Sequence, residues 1–164
     1  MNNRTGDNLT HTGANERLVR ALADTGVTFL VVGGLAMAWH CPERMADDMD
    51  LLIEPTQENA AKVAQAFSSL GLVGLSESSF ARLGLQVPLK DATFYAELLT
   101  PKEGGMTYAE AEVNSVDARL FNIPVRVASV TALIGMKADA AESTAGAERQ
   151  KHLEDISLLE RVAR

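Results

Sequence analysis

Cysteine is nearly absent. Cys41 is the sole thiol among 164 residues, which excludes an internal disulfide and a cysteine-built zinc site and fits a reducing, cytoplasmic interior. Positive charge is in deficit, with 15 Lys and Arg against 22 Asp and Glu and a formal net charge of −7. That balance argues against a general grip on a nucleic-acid backbone and leaves room only for a local cationic pocket. Long apolar runs are also missing: Val27 to Trp39 contains two glycines and is well short of the roughly 20 residues of a membrane-spanning helix. Met1 to Ala14 is mostly polar, without the apolar stretch and small-residue cleavage site of a signal peptide, and is expected to be a flexible tail. No repeat or low-complexity tract is evident. His11, His40 and His152 do not cluster with a second metal-type ligand, and no Ser-His-Asp or Cys-His motif surrounds them, so none is a candidate site residue; His152 is expected on a helix surface.

What remains is an ordinary globular composition. Aromatic residues make up 5%, but 46% of the chain is hydrophobic, enough for the core of one compact domain. We place that domain at residues 15–164, with a sheet core over about 27–128 and two closing helices over about 130–162. NERLVRALADTG, from Asn15, has a polar cap, Leu18, Val19 and Leu22 at helical spacing and Gly26 as a stop. TFLVV reads as a buried strand bounded by Gly33-Gly34, followed by a short helix over Leu35 to His40. Asp48 to Ile53 alternates as a strand, with Asp48, Asp50 and Leu52 on one face. Pro55-Thr56 starts a helix whose stripe is Ala60, Val63, Phe67 and Leu70. Strands are expected over Phe80 to Leu85 and Thr93 to Leu99, joined through Pro88, with Glu97 on the second. Arg119 to Phe121 and Val125 to Val127 form a hairpin, Ser129 caps a helix over Val130 to Glu142, Ala138 to Ala147 runs into a flexible loop, and a last helix spans Arg149 to Val162. Strands mixed with helices without strict alternation predict an α+β fold with a mixed sheet.

The chemistry gathers around Gly33-Gly34, a spacer of thirteen residues, and Asp48-Met49-Asp50-Leu51. Carboxylates two apart in a strand project to one side and can share hard cations such as Mg²⁺. Paired glycines between a strand and a helix start let an anion approach free backbone N–H groups. Lys137 interrupts the apolar stripe of Leu133, Ile134, Ala140 and Ala141 on its helix. It either reaches a phosphate group or pairs with Asp155 on the last helix.

These residues resemble the signature of the polymerase-β-like nucleotidyltransferases: a hydrophobic residue, Gly-Gly or Gly-Ser, a spacer, then Asp-hydrophobic-Asp/Glu-hydrophobic. VVGGLAMAWHCPERMADDMDLLIEPTQENAAKVAQAFSSLG looks like the small bacterial branch that includes antibiotic nucleotidyltransferases and abortive-infection-type toxins. The likeness continues through AELLTP, NIPVRVASVTALIGMKADAA and RQKHLEDISLLE, roughly residues 15–164. It implies a nucleotidyltransferase fold, a mixed sheet flanked by helices with two C-terminal helices. It further implies metal binding by Asp48 and Asp50 with Glu97 as a third carboxylate, either a further ligand or a base. Two Mg²⁺ ions are expected, with Mn²⁺ as a substitute. Gly33, Gly34, Arg44 and Lys137 would contact the nucleotide.

The implied reaction moves an NMP group from an NTP to an acceptor hydroxyl and releases pyrophosphate. The alternative is a non-catalytic member that binds a nucleotide or a protein partner, for example in a toxin-antitoxin system. Ala46, where relatives often carry a hydroxyl, and Glu97, where Asp is commoner, are the departures that sustain it. Arg44 could instead neutralise Glu43 or Asp47; Cys41 reads as a packed hydrophobe, and Trp39 as packing or a base-stacking ring. A homodimer or a separate partner chain could complete so small a site. No membrane partner is expected, and net charge disfavours nucleic acid without excluding a tRNA end beside drug-like or protein acceptors.

Overall fold

The computed structural model describes residues 4–9, 15–46, 48–90 and 94–164. The first layer of order is local. Helix α1 (Asn15–Asp24) buries Leu18, Val19 and Leu22, and strand β3 (Phe29–Val32) leads directly into α2 (Gly33–His40). Strand β4 (Met49–Ile53) starts one residue after Asp48, and α3 (Gln57–Ser69) is capped by the Thr56 hydroxyl, which accepts from the Asn59 N–H. Helices α5 (Val130–Glu142), capped by Ser129, and α6 (Gly146–Val162) close the chain and pack on each other, while α2 touches both.

Among the described residues, β3 and β4 join β1 (Arg4–Thr5), β2 (Asn8–Leu9), β5 (Gln86–Lys90), β6 (Tyr95–Leu99), β7 (Val116–Leu120) and β8 (Ile123–Val127) in one mixed sheet, in the order β1-β2-β7-β8-β3-β4-β6-β5. Its centre is the antiparallel pair β3–β4, flanked by the parallel pairs β3–β8 and β4–β6 (Tyr95–Leu99). Register does the positioning: Val32 lies opposite Asp50 on one side, and Glu97 lies opposite Asp50 on the other. Alternation then puts Met49, Leu51 and Ile53 on the reverse face, all completely buried.

Several expectations are corrected. Residues 4–9 of the expected flexible tail are built into the sheet: β1 (Arg4–Thr5) pairs with β2 (Asn8–Leu9), and β2 runs parallel to β7. Leu9, a single apolar residue in a polar segment, is fully buried, and so anchors a stretch whose composition reads as solvated. Much of the rest of that tail, including His11, lies outside the described residues.

No strand runs over Phe80 to Leu85. Ser79–Ala81 is one 3₁₀ turn, and the strand is β5 (Gln86–Lys90), with Pro88 inside it. Phe80 packs edge-on against Phe67, with ring centroids 6.1 Å apart, so its burial serves a helix contact and not a sheet. Proline is tolerated in β5 because the strand is an edge and one of its N–H groups can be lost without breaking a ladder.

The hairpin is longer and tighter than its composition announces. β7 (Val116–Leu120) and β8 (Ile123–Val127) are joined by Phe121-Asn122, both with positive φ, as a primed two-residue turn requires. Pro124 pairs with Arg119 inside the ladder. Helix α4 (Tyr108–Glu112), held by a Thr107–Glu110 capping box, was not expected. The last helix starts at Gly146, ahead of Arg149.

Two buried asparagines staple helices to strands. Asn15 donates to the Tyr95 carbonyl and accepts from the Tyr95 N–H, fixing the start of β6, on which Glu97 sits. Asn59 accepts from the Thr28 N–H and donates to the carbonyls of Thr28 and Glu54. It thus locks the outer ends of β3 and β4 while being only 4% exposed. Asn59→Ala would remove all three bonds and strip the Thr28 N–H of its partner, while the Thr28 and Glu54 carbonyls keep the N–H groups of Glu54 and Thr56; it is expected to cost about 1–2 kcal/mol in urea unfolding, and a loss under about 0.5 kcal/mol would show that the staple is dispensable.

Candidate functional site

β3 ends where β4 and β6 begin, so the glycine turn and the acidic residues meet at one end of the sheet. Gly33 has φ +63°, a conformation that costs little only for glycine. Its position also leaves no room for a side chain: a Cβ there would lie 2.2 Å from Oδ2 of Asp50. The turn and the carboxylate are therefore in direct contact. Gly34 faces Ala46, where a Cβ would sit at an ordinary 3.6 Å. Residue 32 offers no side-chain cap to α2, so first-turn N–H groups of this helix remain available to an anion.

A cleft of about 330 Å³ opens here, lined by Gly33, Gly34, Arg44, Asp48, Asp50 and Lys137 among others. Six residues selected from the sequence thus share one cavity. A larger cavity of about 580 Å³, walled by Tyr108, Glu112 and Arg126, contains none of them. Glu97 does not line the cleft; it stands half-buried beside Asp50 on the neighbouring strand.

Of the two readings of Lys137, the pairing with Asp155 is present. Its Nζ donates to Oδ2 of Asp155 at 2.8 Å, and it still faces the cleft. Arg44 pairs with the other oxygen of Asp155, Nη2 to Oδ1 at 2.6 Å, and so does not serve to neutralise Glu43; Asp47 lies outside the described residues. Asp155 is 1% exposed. One buried carboxylate therefore carries two cations on the wall of the cleft, leaving that cluster a formal charge of +1. Such an arrangement presents donors to an anion while keeping two flexible side chains in place.

Two further residues at the site were not anticipated from sequence. Lys90, at the end of β5, donates to Oδ2 of Asp48 at 2.9 Å, and this bond holds the lysine pKa above its ordinary value. His152 lines the cleft instead of riding an outer surface, and its Nδ1 is buried without a hydrogen-bond partner. Burial and nearby Lys137 lower its pKa, keeping the ring neutral. Its place three residues before Asp155 on α6, the same helical face, was the available signal. Lys90 had none, because its partner lies 42 residues away.

Other residues settle as packing. His40 hydrogen-bonds the Ala128 carbonyl at 2.8 Å and ties α2 to the end of β8. Cys41 is buried, and burial pushes its thiol pKa up, against nucleophilic use. Trp39 is 8% exposed beneath the Arg4 guanidinium, 3.8 Å from the ring centroid, and does not line the cleft; the base-stacking reading is thereby removed.

Asp50 is under electrostatic stress. Burial first, then Glu97 and Asp48, raise its pKa from an ordinary carboxylate value to about 6. Among the described residues no group of three His, Cys, Asp or Glu side chains is drawn together as a ready metal cluster. The donor chemistry nevertheless fits a hard divalent ion: two carboxylates converge at one end of a sheet, and the charge that penalises Asp50 is the charge such an ion removes. The folded state holds the Asp50 proton more tightly than the unfolded chain does, so stability falls as pH rises from about 4 through about 6. In EDTA, Asp50→Asn should therefore gain on the wild type by about 2 kcal/mol between pH 4 and pH 8. Equal pH dependence of the two unfolding curves would refute the strain.

No protein-family model matches the chain, and no curated protein matches it at a significant level. Solved structures do. An antigenic nucleotidyltransferase-like protein from Paracoccidioides brasiliensis superposes with a TM-score of 0.56 at 17% identity, over 89% of this chain and 74% of that one. ANT(2″)-Ia in complex with adenylyl-2″-tobramycin gives 0.54 at 20% identity, over 91% and 90%. The solution structure of the antibiotic-resistance factor ANT(2″)-Ia gives 0.53 at 16% identity, over 92% and 89%. The chain shares the fold of these nucleotidyltransferase structures.

Proposed function

We propose that the chain is a metal-dependent nucleotidyltransferase that moves an NMP group from an NTP to an acceptor hydroxyl and releases pyrophosphate. The observation that carries this reading is the direct contact between the Gly33 turn and Asp50 within a cleft that also holds Asp48, Arg44 and Lys137. Register brings the turn and the carboxylate together, and a metal-bound triphosphate is a ligand that would engage both at once.

The backbone N–H groups at Gly33 and Gly34 would hold phosphate oxygens, with Arg44 and Lys137 reaching in from the Asp155 cluster. Asp48 and Asp50 would hold Mg²⁺, or Mn²⁺ in its place. When bound, such ions lower the barrier by offsetting charge on the attacking and leaving oxygens. Glu97, beside Asp50 but outside the phosphate cleft, would take the acceptor proton or serve as a further metal ligand. ANT(2″)-Ia, crystallised with a nucleotide-modified aminoglycoside, supports a nucleotide and an acceptor as the two substrates.

The Lys90–Asp48 ion pair favours a second reading, in which the fold binds a nucleotide or a protein partner without transfer, because the lysine supplies the charge a metal would. Thermal melting decides. Each of the four NTPs is tested with and without Mg²⁺ on the wild type and Asp48→Asn. Saturation at a hundredfold excess over Kd adds about 2.7 kcal/mol, a rise of several degrees. A Mg²⁺-dependent rise with at least one NTP, lost in Asp48→Asn, is expected, with transfer falling by roughly 10²-fold or more in that variant. An NTP rise indifferent to Mg²⁺, with no pyrophosphate released, establishes the second reading.

Lys90→Met separates the two further. Removing a cation that competes for Asp48 should lower the Mg²⁺ concentration at half-maximal shift by several-fold. A higher Mg²⁺ requirement would mean that the lysine supports the metal site.

A further inference from the structure

Beside the polar cleft lies a second cavity, about 200 Å³ in volume, with mostly apolar walls. Its floor continues the face that carries the acids. Leu52 follows Asp50 by two residues on β4, Leu99 follows Glu97 by two on β6, and Val32 precedes Gly33. Each step of two along a strand is about 7 Å, so Leu52 and Leu99 lie one side-chain layer beyond the carboxylates, while Val32, opposite Asp50, brings the pocket wall level with them. Its roof is α5, where Met136 faces the pocket and the next residue, Lys137, faces the cleft; Met106 closes a side. The Asp50–Glu97 layer thus divides one continuous sheet face into a phosphate side and an apolar side.

We infer that the apolar cavity is the acceptor subsite, and that the acceptor is an uncharged, hydroxyl-bearing molecule with a ring-sized apolar group, not a polycation. The inference rests on the nucleotidyltransferase reading above. In-line displacement needs the attacking oxygen opposite the leaving group. With pyrophosphate leaving into the cleft of Gly33, Gly34, Arg44 and Lys137, the hydroxyl would enter from the side of the Asp50–Glu97 pair on which Val32, Leu52 and Leu99 line this pocket. The bond from acceptor oxygen to the α-phosphorus forms as the bond from that phosphorus to the bridging oxygen of pyrophosphate breaks. The hydroxyl proton passes to Glu97 and then to water.

Charge agrees with an uncharged occupant. Lys102 and Asp139, one of each sign, are the ionisable side chains on the pocket wall. In the adjoining cleft, Asp48 and Asp155 are already matched by Lys90, Lys137 and Arg44. Among the described residues Asp50 carries no ion pair of its own, but the Mg²⁺ of the proposed reaction would take up its charge, and a polyamine in the apolar pocket would then find on the wall only Asp139, with Lys102 on the same wall, to replace its lost hydration.

The test uses the full chain with ¹³C-labelled methionine methyl groups, followed by NMR during titration with benzyl alcohol, cyclohexanol or tobramycin. Saturable shifts of the Met106 and Met136 methyls with the two alcohols, absent with tobramycin, are expected. Met136→Trp, which fills the cavity, should abolish them; Leu99→Phe serves if that variant does not fold. With NTP and Mg²⁺ present, pyrophosphate release should rise with the alcohols in the wild type and not in the filled variant. If the Mg²⁺-dependent NTP melting shift is present but the methyl groups ignore the alcohols, or answer only to tobramycin, the acceptor assignment falls while the nucleotidyltransferase reading stands. Alcohol binding without any NTP shift overturns both.

Discussion

Strand register forces like charges together at one end of this sheet, and much of the site responds to that compression. Pairing β4 parallel to β6 sets Asp50 opposite Glu97, and the start of β4 adds Asp48. None of these placements can be relaxed without slipping a strand, and a slip of one residue would turn Met49, Leu51 and Ile53 out of the core. The hydrophobic face therefore enforces the electrostatic cost. Part of it appears as the raised pKa of Asp50; part is offset by Lys90, whose ammonium donates to Asp48.

The same logic explains Asp155. Arg44 and Lys137 would repel each other across the cleft. A buried carboxylate between them lets both approach, and by burying its own charge it leaves their donors as the cleft-facing groups. Leu159, on the same helix, is fully buried, so the packing that seats α6 also brings Asp155 to its cations. A residue outside the glycine and acid motifs thus governs how the motif's basic partners stand.

Motif residues were legible in the sequence because their physics is local. Gly33-Gly34, the Asp48/Asp50 alternation and the caps at Thr56 and Ser129 each depend on neighbours a few positions away, and each is found where its pattern puts it. Lys137 was legible as an anomaly, a charge on an apolar stripe. What escaped depends on long-range pairing. Lys90 acquires meaning only when β5 adds to the edge beside β6, and β5 itself was hidden because Pro88 reads as a break until the strand is known to be an edge. Residues 4–9 escaped because a two-residue strand carries no periodicity, and only Leu9 pays in buried area for its place in the sheet. His152 was misjudged because α6 is mostly polar; its inward side is defined by Asp155, a residue that composition assigns to water.

Alternation with period two makes both halves of the active face from the same three strands. At Asp50 and Glu97 the face is charged; one step on, at Leu52 and Leu99, it is apolar. A helix crossing above repeats the change at Met136 and Lys137, where adjacent residues point into different cavities. Because one register fixes both halves, the carboxylates and the apolar pocket move as a unit, and a change in sheet packing that displaced one would displace the other. A small domain can in this way keep a charged cleft and an apolar pocket at a fixed separation on one sheet face.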